Sequence, residues 1–188
     1  RNEAVFDNAR QALEKGMPLC LMAEGTHNNR HQLLPLVKGM FRIAGETQRD
    51  LRDKPLYIVP VGLDYDHYEN PYSSVVVNFC PPIDVRQYMA EFSDNEPVAL
   101  NHMRQDLTLA MKDAIHQVNA DEHYDDEYAY CHLKTADNLK SLHLRNNVWG
   151  RFMARRHVSQ QLAQLDPDSL VPLYDEGAAF ARECETNR

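Results

Sequence analysis

Residues 18–39 read PLCLMAEGTHNNRHQLLPLVKG. Pro18 opens a short apolar run, Leu19-Cys20-Leu21-Met22-Ala23. The run is bounded and does not alternate with polar residues, which is the pattern of a strand buried on both faces of a largely parallel sheet. Polar residues 24–32 follow as a loop, and Lys38 to about Arg49 reads as a helix with Met40, Ile43 and Ala44 inward. In open α/β sheets, ligands bind beyond the carboxyl ends of the strands. The loop after Ala23 is therefore where chemistry is expected.

The flanks agree with an α/β layer. Residues 2–15 place Val5, Phe6, Ala9, Ala12 and Leu13 on one helical face, and Gly16 stops the helix. Leu56-Tyr57-Ile58-Val59-Pro60-Val61 predicts a second buried strand, and Ser74 to Phe79 a third. Ser93 and Glu96 match a capping box. Leu100, Met103, Leu107, Met111, Ala114, Ile115 and Val118 then form an apolar stripe. Residues 137–165 and 168–184 read as helices divided by Asp166-Pro167-Asp168, with Asp168 capping the second. The fold class expected is α/β: a mixed, largely parallel sheet flanked by helices, with a helical C-terminal extension.

Residues 121–131 contain five acids and no Lys or Arg; residues 132–157 contain six Lys or Arg against Asp137 alone. That reversal suggests a boundary, giving an α/β domain over 1–120 and a helical extension over 121–188. The chain has 188 residues, 43% of them hydrophobic, enough for a core. Its formal net charge of −8 argues against nucleic acid as a partner. No apolar run reaches the roughly 18–20 residues that span a bilayer. Cys20, Cys80, Cys131 and Cys184 stand far apart, as reduced thiols of a cytoplasmic protein would.

The loop offers Glu24, Gly25, the Thr26 hydroxyl, the His27 imidazole and the Arg30 cation. Lys38 and Gly39 stand at a helix start. Cations, backbone donors and a helix N-terminus together suit an anion, and a phosphate is the natural guest. A solvated loop with scattered charges is the other reading of the same residues.

Glu24-Gly25-Thr26, then Leu34-Pro35-Leu36-x-Lys38-Gly39, then Ile58-Val59-Pro60-Val61 together resemble the phospholipid/glycerol acyltransferase family. That family includes the lysophosphatidate and glycerol-3-phosphate acyltransferases. The resemblance covers residues 1 to about 83. It implies transfer of a fatty acyl group from acyl-CoA or acyl-carrier protein to the hydroxyl of a glycerol phosphate or lysophospholipid, a step in phospholipid biosynthesis. By the same resemblance Glu24 and Thr26 organise the loop and meet the acceptor. His27, Arg30 and Lys38 hold its phosphate, Gly25 and Gly39 allow close approach, and Val59-Pro60-Val61 builds the floor. Two positions depart from the pattern: His27 replaces an arginine and Ala23 a proline. The family's catalytic N-H-x4-D block is expected upstream of Arg1, so no catalytic residue is assigned in this chain. His116…Asp121 and His132…Asp137 lie downstream, in or beside predicted helices, where positions five apart diverge. No bound cofactor is expected; the acyl thioester is a co-substrate.

Other readings of the same residues compete with this one. A non-catalytic phosphate- or lipid-binding module would keep the E-G-T loop without turnover. A metal-dependent hydrolase could use His27 and His31 with Glu24, but no further ligand is evident, and no metal is expected. Asp64, Asp66 and His67 could bind a cation or line the pocket, and a polar turn is the preferred reading. Trp149 and Phe152 among the arginines of 132–157 would suit peripheral contact with an anionic membrane, at its inner face. A helical hairpin with its aromatics packed inward and its arginines paired to the acids at 121–127 is preferred, because the apolar positions do not segregate.

Overall fold

A computed structural model describes residues 3–26, 28–65 and 72–186. The chain divides into two compact units, each discontinuous in sequence. The first comprises Arg1–His27, Leu33–Val61 and Phe79–Met111. The second comprises Asn28–Gln32, Gly62–Asn78 and Lys112–Arg188. The elements mix helices with small sheets, an α/β combination.

In the first unit, α1 (Glu3–Glu14) packs on α2 (Gly39–Leu51). The helical period of Val5 to Leu13 predicts α1, and Gly16 closes it. The Met17 N–H reaches Ala12 O at 3.0 Å and the Gly16 N–H reaches Leu13 O at 2.9 Å. Arg10 pairs across to Glu46 and Asp50 of α2. Strand β1 (Tyr57–Ile58) pairs antiparallel with β4 (Ile83–Asp84), and a 3-10 turn (Val85–Tyr88) leads into α3 (Met89–Asp94). Helix α4 (Glu96–Ala114) brings Ala99, Met103 and Leu107 to a core shared with Leu36, Phe41, Ala44, Val85, Tyr88 and Phe92. Buried Gln48 ties α2 to β1: its amide donates to Arg52 O and Lys54 O, and its carbonyl accepts the Leu56 N–H.

Strand β2 (Val61–Tyr65) pairs with β3 (Val75–Phe79), and all but Val61 and Phe79 of the two belong to the second unit. Helices α5 (Tyr124–Leu133), α6 (Thr135–Ser141), α7 (Val148–Leu162) and α8 (Pro167–Thr186) follow. Cys131, Val158 and Leu162 form a core that Tyr130, Leu170 and Leu173 extend. The Glu127 carboxylate, buried on α5, accepts the N–H groups of Asn119 (2.8 Å) and Ala120 (2.9 Å). The Val118 N–H donates to His31 O at 2.7 Å, so residues 28–32 are stitched to the segment after α4.

Several expectations are corrected. The described residues form no largely parallel sheet: each of the two sheets has two strands, and β1 and β4 run antiparallel. Leu19–Met22 is not a strand, and Leu19, Leu21 and Met22 are exposed. A strand buried on both faces needs pairing neighbours, and neither sheet includes this run. The predicted strand 56–61 breaks at Pro60, which has no N–H to give a ladder. The Ser93-Glu96 box does not form. Ser93 Oγ bonds back to Met89 O within α3, and the Asn95 carbonyl begins α4 by accepting the Val98 and Ala99 N–H groups. Helix α4 ends at Ala114, before Ile115 and Val118. The helix predicted over 137–165 is two, α6 and α7, and α5 arises from the acidic stretch where no helix is predicted. Asp166, not Asp168, caps α8: its carboxylate accepts the Ser169 N–H at 3.1 Å, with Pro167 as first helical residue. In α7, Phe152 is buried but Trp149 is half-exposed, and Arg156 pairs with Asp113 rather than with the acids at 121–127.

Candidate functional site

The E-G-T turn belongs to the first unit. The Gly25 N–H donates to Met22 O at 3.2 Å, and the Val37 N–H to Ala23 O at 2.8 Å, closing the loop at its base. Gly25 has φ +67°, and a Cβ there would lie 2.8 Å from Val37 Cγ1. Left-handed backbone and close approach both call for glycine. Glu24 is half-buried, and its Oε2 accepts the Leu34 N–H at 2.8 Å. Its carboxylate therefore holds the two sides of the loop together. Thr26 is exposed beyond it.

Lys38 stands at the N-cap of α2, exposed, with helical φ and ψ and a side chain that caps no N–H. The first turn of α2 carries no acid. The helix N-terminus, worth about half a positive charge, and the ammonium therefore act in the same sense on an anion. The Val37–Ala23 bond sets Lys38 one residue from the closure of the E-G-T turn. Gly39 is different from Gly25: a Cβ there would meet only the Phe6 ring at an ordinary 3.5 Å. Of Val59-Pro60-Val61, Pro60 is buried and Val59 exposed.

The structure thus brings Glu24, Gly25, Thr26, Lys38 and Gly39 together in one unit. His27 lies outside the described residues, as do Asp66 and His67. Arg30 belongs to the second unit, where its guanidinium stands 4.9 Å from the centre of the Tyr124 ring. Its N–H donates to Asn28 Oδ1 at 3.1 Å.

His31 also belongs to the second unit. Its Nδ1 lies 3.4 Å from Asp64 Oδ2, and its N–H donates to the Tyr124 hydroxyl at 2.8 Å. The His116 N–H donates to the same Asp64 oxygen at 2.9 Å. The Tyr128 ring stacks on both imidazoles, with centroids 5.1 Å from His31 and 6.0 Å from His116. Burial holds the His116 imidazole well below the usual histidine range; His31, His132 and Arg155 push the same way. Of the downstream His-x4-Asp strings, His116 faces Asp64 while Asp121 accepts from Gln32. In the sequence His31 stands with Glu24 and His27, and His116 with Asp121; nothing there joins His31 to His116. His31 and Asp64 lie on different chain segments from His116, so no local spacing could have linked them.

Comparison with known proteins bears on the first of these clusters. Residues 1–64 match the Acyltransferase family model, a stretch that contains the E-G-T turn, Lys38 and the V-P-V residues. This part of the chain is similar to that family, in line with its three ordered blocks. An uncharacterized acyltransferase of Schizosaccharomyces pombe is 32% identical over 81 residues, which are 43% of this chain and 12% of that relative. The chain therefore spans a small fraction of the curated relative's length. No solved structure matches. Acyl transfer is the activity named in both matches.

Proposed function

We propose that residues 23–39 bind the phosphorylated acceptor of a glycerolipid acyltransferase, a glycerol phosphate or a lysophospholipid. The donor is an acyl-CoA or acyl-carrier-protein thioester. In this reaction the acceptor hydroxyl oxygen attacks the thioester carbonyl carbon, the C–S bond breaks, and the thiolate leaves. The hydroxyl proton goes to a general base. The resemblance makes that base a histidine, and residues 1–23 contain none. The contribution of these residues is recognition. Lys38 and the α2 N-terminus meet the phosphate, Thr26 offers a hydroxyl, and Glu24 and Gly25 hold the turn in shape.

The observation that carries this reading is the placement of Lys38 beside the E-G-T turn, inside the segment that matches the acyltransferase family. Arg30 stands over the Tyr124 ring in the second unit. A lysophospholipid acceptor would bring the protein to a bilayer surface. No described helix is long and apolar enough to cross one.

The test is Lys38→Ala in the complete protein. A charge-assisted contact contributes about 1.5–3 kcal/mol, so the acceptor KM should rise at least tenfold while the donor KM holds. Lys38→Arg should recover part of the loss. An acceptor KM unchanged in Lys38→Ala removes Lys38, and with it this reading of the loop.

A further inference from the structure

The second unit is built from three separate stretches of chain, and each sends one side chain to the same point. His31 comes from Asn28–Gln32, Asp64 from β2, and His116 from the segment after α4. One ligand-type atom from each lies within 4.8 Å of the others. His116 is 1% exposed, and among the described residues its Nε2 has no hydrogen-bond partner. A buried polar atom without a partner is costly, and native folds keep one only where something else satisfies it.

We propose that His31, Asp64 and His116 bind one divalent transition-metal ion, zinc by their donor set. Two imidazoles and a carboxylate suit zinc; magnesium and calcium prefer all-oxygen shells. Ligand atoms around tetrahedral zinc stand roughly 3.3 Å apart, given bonds of about 2.0–2.1 Å. The His31–Asp64 separation of 3.4 Å already has that spacing. Three protein ligands leave a fourth position for water. The surroundings hold the ligands in place. Tyr128 stacks on both rings, and the Tyr124 hydroxyl and the Val118 N–H fix the backbone of His31. The Asp64 carboxylate already accepts the His116 N–H and keeps further lone pairs for an ion. The ion would join the three stretches that make up this unit. This site does not depend on the acyl-transfer reading.

The experiment uses the whole chain, freed of metal with a chelator and then titrated with Zn²⁺ alone. A parallel titration with Co²⁺ reports coordination by its visible absorption. The expected result is one ion per chain, a tetrahedral cobalt spectrum, and a melting temperature that rises with zinc. His31→Ala and Asp64→Asn should each weaken binding at least tenfold. His31 is only partly buried, so its variant tests the site even if His116→Ala fails to fold. His123→Ala, at an exposed histidine paired with Asp126, should bind as the parent does. Cys20→Ser with Cys184→Ser should also leave binding intact. Binding below one equivalent at saturation overturns the proposal. So does binding unchanged in His31→Ala and Asp64→Asn, or binding lost with the two cysteines.

Discussion

Glu24 and Gly25 hold one turn by different means, and substitutions separate them. Gly25→Ala must place a Cβ in left-handed backbone, which costs about 1–2 kcal/mol before any contact with Val37 is counted. The expected outcome is a lowered denaturation midpoint. Glu24→Gln keeps an oxygen for the Leu34 N–H and should fold like the parent, whereas Glu24→Ala leaves that donor without its acceptor. Glu127 makes a prediction in pH. Burial raises its pKa above the ordinary 4.5, despite the opposing pull of the Asn119 and Ala120 N–H donors. The folded chain therefore keeps this proton to higher pH than the unfolded chain does. The stability this confers is complete below pH 4.5 and is lost as pH rises through the raised value. The stability of the parent relative to Glu127→Gln should fall from pH 4.5 toward neutrality, measured by urea titration at each pH. A difference that stays flat across that window contradicts the assignment. At this scale the sequence was informative where a motif is local. The E-G-T block and Lys38 are consecutive enough to be read in order, while His116 meets Asp64 across 52 positions and shows no spacing to read.

Elements were legible where one period dominates. The apolar face of α1 and its Gly16 stop, and the start of α2 after Lys38, follow from helical spacing. Helix α5 did not announce itself, because its acids mask the face it buries: Tyr124, Glu127, Ala129 and Cys131. One of those four is itself an acid, buried because backbone donors satisfy it. The run Leu19–Met22 misled in the opposite way: its composition suits a buried strand, but strands need partners, which composition does not supply. Helix α5 packs chiefly on α8, and Gly177 is why the two approach so closely. A Cβ at 177 would lie 2.1 Å from Asp126 O, a backbone atom that cannot swing aside. Gly177→Ala should force the helices apart and cost about 1–3 kcal/mol or more, read from the thermal midpoint. At the head of α7, the Asn147 side chain accepts the Gly150 N–H at 2.8 Å. Asn147→Ala should cost about 1 kcal/mol by losing that cap.

Across the whole molecule, the cysteines report on the two units separately. Cys20 and Cys184 are exposed, and Cys131 is fully buried with its thiol pushed up to about 12 by burial. Alkylation at pH 8 should therefore mark Cys20 and Cys184 in the native protein and spare Cys131, since the thiolate is the reactive form. Cys131 should react only as the second unit unfolds, and rapid native labelling there would contradict its placement. That unit draws on chain segments far apart, a fact with a consequence for biosynthesis. The His31 N–H waits for the Tyr124 hydroxyl, made 93 residues later. A ribosome adding roughly 5–20 residues per second needs about 5–20 s to deliver it. Closing a loop of that length costs about 4 kcal/mol of chain entropy before contacts repay it. During translation, the nascent 28–32 segment must stay unengaged until the distal helices have left the exit tunnel, so the second unit is completed only after those helices are made.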